Sequence, residues 1–186
     1  TPSPNLVWCR PCPIFQPPRL AASGAAVGTA AHAQNVTIGM SFPSATHGWM
    51  GAIIKNAQDQ AKASGIQHVM TTAADPNKQT NDIEDLIAKK VGAVVMLPIE
   101  SSAMTRAATL LKQANIPLIV VDREVNTQDF AALIKGDNVG IGVNAAHYIA
   151  KALGGNGNVV EIIGVPASVT TQRSQGYRDT VAKQYP

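Results

Sequence analysis

The chain has 186 residues, of which 45% are apolar and 15% charged, and a formal charge of +3. That length suits one domain with a sizeable core, or slightly more, and the balance is globular, not disordered. The small charge excludes a long-range basic field that would recruit nucleic acid or anionic lipid. No apolar run reaches the roughly 18 residues of a membrane span.

Residues 1–19 hold half of the chain's 12 prolines and show no periodic pattern. Their Cys9-Arg-Pro-Cys12 lacks the second ligand pair of a zinc site. It also lacks the strand and helix that flank a redox pair, so neither metal nor redox chemistry follows. Beyond Cys12 the chain carries no thiol, which is compatible with an oxidising compartment. Arg19, the small-apolar run after it and Ala31-His32-Ala33 form the pattern of a secretory signal peptide cleaved after Ala33. A disordered Ala-rich linker is the alternative. Residues 1–33 are thus expected to be a Pro-rich leader and signal-like segment.

From Val36 a βα rhythm sets in. Val36–Phe42 reads as a strand, and a helix follows from about Gly48 with Met50, Ile53, Ile54, Ala57 and Ala61 on one face. Gly65 ends it as a C-cap glycine. His68–Thr72 is the second strand. Asp75-Pro76 supplies an N-cap and a first-turn proline for a helix with an Ile83, Leu86, Ile87 stripe. Ala93–Leu97 is the third strand, and Ser101 or Ser102 is expected to cap a helix carrying Met104, Ala107, Ala108 and Leu111.

Pro117–Val121 then forms a strand that reads as buried on both faces and delivers Asp122-Arg123 at its carboxyl end. Ala131–Lys135 adds a shorter strand. After Gly136-Asp137-Asn138 come a helix with Val143, Ala146, Ala150 and Leu153, a strand over Val159–Ile163, and a final helix from near Thr170. Strands alternating with helical patterns predict an α/β fold with a parallel sheet built from βαβ units.

Several residues carry chemistry and each has a plainer reading. A carboxylate beside a guanidinium offers acceptors and a planar donor fork to a polyhydroxylated molecule, or Asp122-Arg123 is a surface ion pair. Trp49 either stacks on the C–H face of a sugar ring or closes its helix onto the sheet. His47 either bonds a hydroxyl or is solvated, and Arg173 is a ligand contact or a solvated helical arginine. Gly140-Ile-Gly142-Val-Asn-Ala145 matches a dinucleotide pattern but sits wrongly relative to the strands. No P-loop, H-E-x-x-H or serine elbow occurs, so no catalytic residue, cofactor or metal ligand is predicted.

Together the segments Ala114–Arg123, Gly136–Asn138, His147–Ala150 and Arg173–Tyr177 resemble the ribose-binding-protein type of periplasmic sugar-binding protein. The similarity runs from about Asn35 to the end. It implies a type I periplasmic binding protein: an N-terminal lobe over 35–136 and an incomplete second lobe over 137–186. A pentose, hexose or polyol would be gripped between the lobes. The resemblance implies Phe42, His47, Trp49, Met50, Asp122, Arg123 and Arg173 as ligand contacts and Gly136-Asp137 as a hinge crossing. His47-Gly-Trp-Met50 falls where ribose binders carry Asn-Pro-Phe-Phe, which points away from ribose itself. The implied partners are a sugar or polyol, an ABC permease and a chemoreceptor, with no nucleic acid, acting as an exported monomer without enzymatic activity. Two rivals remain: the effector-binding core of a LacI-type regulator, and a nucleotide-dependent enzyme on a related sheet.

Overall fold

The computed structural model describes residues 36–45 and 47–185. The leader, both cysteines and the signal-like segment lie outside the described residues, which belong to one compact unit, residues 33–186. Its strands are β1 (Ile38–Pro43), β2 (His68–Ala73), β3 (Ala93–Met96), β4 (Leu118–Val121) and β5 (Ala132–Ile134). The helices are α1 (Gly48–Ala63), α2 (Pro76–Ala88), α3 (Thr105–Gln113), α4 (Asn138–Ala152) and α5 (Ser168–Gln184). All strand pairs are parallel, in the order β2-β1-β3-β4-β5.

Strand alternation divides the apolar residues between the two faces. Met40 and Phe42 of β1, with Leu97 just past β3, join Met50 and Ala61 of α1 in one cluster. Val94 and Met96 of β3 and Leu118 and Val120 of β4 point the other way, into a cluster with Ile83 and Leu86 of α2 and Ala108 and Leu111 of α3. The period of two in the strands meets the helical period of the α1, α2 and α3 stripes. Burying a residue such as Leu86, fully inaccessible here, stabilises the fold by roughly 1.5–3 kcal/mol. Gly39 lies opposite it because a Cβ there would stand 3.0 Å from Leu86 Cδ1.

Local signals fix the helix ends. Asp75 Oδ1 accepts from Lys78 N at 2.9 Å with Pro76 leading α2, and Gly65 follows α1 at φ +65°. Four expectations need correction, the last of them in α4. Neither Ser101 nor Ser102 caps α3: residues 101–104 form a turn, Met104 N donates to Glu100 O, and the helix starts at Thr105 without a side-chain cap. β4 is buried on one face only, with Ile119 and Val121 half-buried. Residues 159–163 form no strand and are exposed throughout, Ile162 to 95%. A strand is defined by its pairing, and no neighbouring strand meets this segment among the described residues.

α4 and α5 pack against each other through a narrow seam. Asn138, Gly142 and Ala146 of α4 and Val169, Gly176 and Thr180 of α5 are buried. The expected α4 face through Val143, Ala150 and Leu153 is instead only partly covered, Leu153 remaining 44% exposed. No helix among the described residues is long and apolar enough to cross a membrane.

Candidate sugar-binding site

Parallel strands bring their carboxyl ends to one edge of the sheet, and there the chain turns sharply at Asp122. Arg123 N donates to Val121 O at 2.7 Å, closing a three-residue turn around Asp122, whose φ is +64°. A γ-turn with positive φ is rare and strained for a residue with a Cβ. Asp122 N is also engaged, donating to Ile134 O at 2.8 Å. The turn ends β4 and sends the Arg123 side chain across the loop that follows β3.

There Arg123 Nη1 donates to Pro98 O at 3.2 Å and Ile99 O at 2.6 Å. Its Nε is buried and has no hydrogen-bond partner among the described residues. Desolvation pulls the guanidinium down from its ordinary value, while Asp122 opposes that shift. Arginine nevertheless keeps its charge. The group is therefore a half-buried cation, anchored by one nitrogen and with an unmet donor.

The receiving loop is itself fixed by Gln79 of α2, which sequence reasoning missed. Its Nε2 donates to Ser41 Oγ at 3.2 Å and Leu97 O at 2.8 Å, and its Oε1 accepts from Ile99 N at 2.9 Å. The available signal was a polar residue four positions before Ile83 on an apolar helical stripe, since buried polar groups need partners.

The other expected contacts divide. Trp49 is 63% exposed, so it does not close α1 onto the sheet, and its indole is free to stack. Phe42 and Met50 are each 1% exposed and belong to the core cluster under α1. His47 is exposed and caps α1, its Nδ1 accepting from Met50 N at 3.5 Å. Arg173 Nε donates to Asn138 Oδ1 at 2.9 Å, which ties α5 to the start of α4. Gly136 O accepts from Asn138 N, and Asp137 Oδ1 caps α4 through Gly140 N at 2.8 Å. The structure thus groups Asp122 and Arg123 with the β3 loop, and Arg173 with the Gly136–Asn138 turn. No group of three His, Cys, Asp or Glu side chains that could hold a metal ion occurs among the described residues.

A parallel α/β sheet with a cation and a carboxylate at its carboxyl edge has the layout in which open α/β folds place their ligands. The sequence profile described as "Periplasmic binding protein domain" matches residues 38–186, and the chain belongs to that family. It is 34% identical over 145 residues to a ribose import binding protein of Bacillus subtilis (strain 168), covering 77% of this chain and 48% of the relative. It is 32% identical over 165 residues to a D-apiose import binding protein of Paraburkholderia graminis, covering 87% and 52%. A carbohydrate transporter solute-binding protein from Agrobacterium radiobacter, solved with D-arabinose, superposes with a TM-score of 0.75 at 27% identity, covering 81% and 54%. The chain spans about half the length of the relatives it matches.

Proposed function

We propose that the chain is the sugar-binding part of the substrate-binding component of an ABC importer, and that Asp122 and Arg123 hold the hydroxyls of its ligand. The observation that carries this reading is the strained turn at Asp122 beside a half-buried Arg123 at the carboxyl edge of the sheet. A strained carboxylate residue and a partly covered guanidinium at the ligand-receiving edge of the sheet offer acceptors and donors that sugar hydroxyls would meet. Trp49 offers the stacking face, and Arg173, held by Asn138, would be the contact from α5. The ligand class is a pentose, hexose or polyol, in line with the ribose, apiose and arabinose named for the relatives.

Micromolar binding needs about 8 kcal/mol. Hydrogen bonds to charged groups contribute roughly 1.5–3 kcal/mol each, so a few of them with one stacked ring suffice. Two lobes, 35–136 and 137–186, with Gly136-Asp137 between them would close on the sugar, and the closed form would be recognised by a membrane permease or a chemoreceptor. The chain would act as a periplasmic monomer, exported by the segment ending at Ala33. Its appearance in an osmotic-shock fraction tests that placement. The relatives named here are import binding proteins, so the reading as a repressor core takes no support from them.

The direct test is calorimetric titration of pentoses, hexoses and polyols into the parent chain and Asp122→Asn. Asparagine tolerates positive φ, removes the charge and turns one acceptor oxygen into an N–H donor. The expected result is a loss of roughly 10- to 100-fold in affinity with the fold intact. Unchanged affinity for a sugar that the parent binds would overturn the site.

A further inference from the structure

Immediately beyond Arg123, a second set of polar groups joins α5 to the strand ends. Glu124 N donates to Ser168 Oγ at 2.8 Å, and Ser168 N donates to Ser101 Oγ at 2.8 Å. Gln172, one turn further along α5, donates Nε2 to Glu124 Oε1 at 2.8 Å. Lys135, the residue after β5, ion-pairs with that same oxygen and donates to Gln172 Oε1 at 3.4 Å. A concavity of about 380 Å³ borders the cluster and is lined by Ser101, Ser102, Glu124, Asn126, Ser168 and Gln172 among others.

None of the four bonds to α5 is local: their partners stand 44, 67, 48 and 37 residues apart. They exist only when α5 is seated. Ala167, at the N-cap of α5, brings no capping side chain. The Ser101 hydroxyl, from the loop after β3, instead satisfies one of the free N–H groups of that helix start. Lys135 precedes the Gly136-Asp137 turn and sits with Glu124 on the sheet side. If α5 moved away, Lys135 would still hold the carboxylate, so unseating α5 strands no unpaired buried charge. The contacts are few, individually weak and reversible, as an element that must open requires.

We propose that Ser101, Glu124, Ser168 and Gln172 form a clasp whose release lets the α4–α5 pair swing from the strand ends, and that this release governs entry and escape of sugar at Asp122-Arg123. The proposal rests on the sugar-binding reading above. Because Glu124 follows Arg123 directly, a closed clasp also fixes the backbone that aims the guanidinium. Gln172 is a positioning residue here: it acts through Glu124 and Lys135 and hydrogen-bonds no proposed sugar contact.

The test is hydrogen exchange, read by mass spectrometry on the 186-residue chain, with Gln172→Met, Ser168→Ala and the two combined. Methionine removes the bonds to Glu124 and Lys135 at similar size, and alanine removes the acceptor of Glu124 N. Exchange in peptides covering 123–126 and 167–171 is expected to rise in the order parent, single variant, double variant, by about tenfold or more for the double variant. Peptides covering 83–97 should be unchanged in every variant. Stopped-flow release of the best-binding sugar should accelerate in the same order. Exchange that is indifferent to residue 172, or that rises equally across the whole chain, would overturn the clasp while leaving sugar binding in place. Ordered exchange in a parent that binds no sugar would instead sink the sugar-binding reading, and the gating role with it.

Discussion

Gln79 is fully inaccessible, and its amide serves Ser41 Oγ, Leu97 O and Ile99 N. Replacing it with leucine keeps the volume and removes all three partners. An unsatisfied buried donor or acceptor costs about 1–3 kcal/mol, so Gln79→Leu is expected to destabilise the fold by roughly 2–4 kcal/mol in urea unfolding. The damage should extend to the site, because Pro98 O and Ile99 O, which receive Arg123, lie in the loop that Gln79 holds. A second residue-level expectation concerns acid. Bonds from Lys135 and then Gln172 hold the Glu124 carboxyl below the usual glutamate range, with burial opposing them. A folded-state value lower than the unfolded one means the contribution is complete above about pH 4.3 and is lost as pH falls through the lower folded value. Exchange at 123–126 should therefore rise in acid, and Glu124→Gln should flatten that dependence. Glu161, held by Ser174 and then Arg178, and Asp129, held by Lys112, shift in the same direction. The measurement is thus the difference between variant and parent, not the acid response of the parent alone.

At the scale of elements, α4 and α5 approach so closely that side chains are excluded. A Cβ on Gly142 would stand 2.1 Å from Arg173 O, and one on Gly176 would stand 2.3 Å from Val139 O. Both obstacles are backbone, which cannot rotate aside. Gly142→Ala or Gly176→Ala must push the helices apart, at a cost of about 1–3 kcal/mol, and should break the Arg173–Asn138 bond. Thermal unfolding reads the first effect; faster exchange at 138–142 reads the second. The same seam shows what the sequence could and could not reveal. Helix and strand positions followed from local periods and caps: Asp75-Pro76, Gly65 and the α1, α2 and α3 stripes were all visible as patterns. The α4 face was misjudged because its contact runs through Asn138 and Gly142, a polar residue and a glycine that no apolar stripe marks. Gln79, Ser101 and Ser168 escaped because their partners lie 38, 67 and 44 residues away. Asp122-Arg123 was legible as a pair at a strand end, but the turn that strains Asp122 was not.

Across the whole molecule, the packed sheet contrasts with the stretch between α4 and α5. Val160 is 87% and Ile162 95% exposed, and neither lies in a strand. Between them, Glu161 is tethered to α5 by Ser174 Oγ and, at 2.9 Å, by Arg178 Nη2. That tether holds an apolar run on the surface with its main chain outside the sheet ladders of the described residues. Such a run offers pairing to other chains, and β-branched residues favour that association. Because the two side chains are almost wholly in water, replacing them removes little packing, and surface changes of this kind usually stay within about 0.5 kcal/mol. The double variant Val160→Lys, Ile162→Lys is therefore expected to keep the parent's transition temperature to within about 2 °C, while light scattering at high concentration falls. A larger drop in transition temperature would mean that this segment packs within the chain in solution, and the exposed run would then not be the source of any self-association.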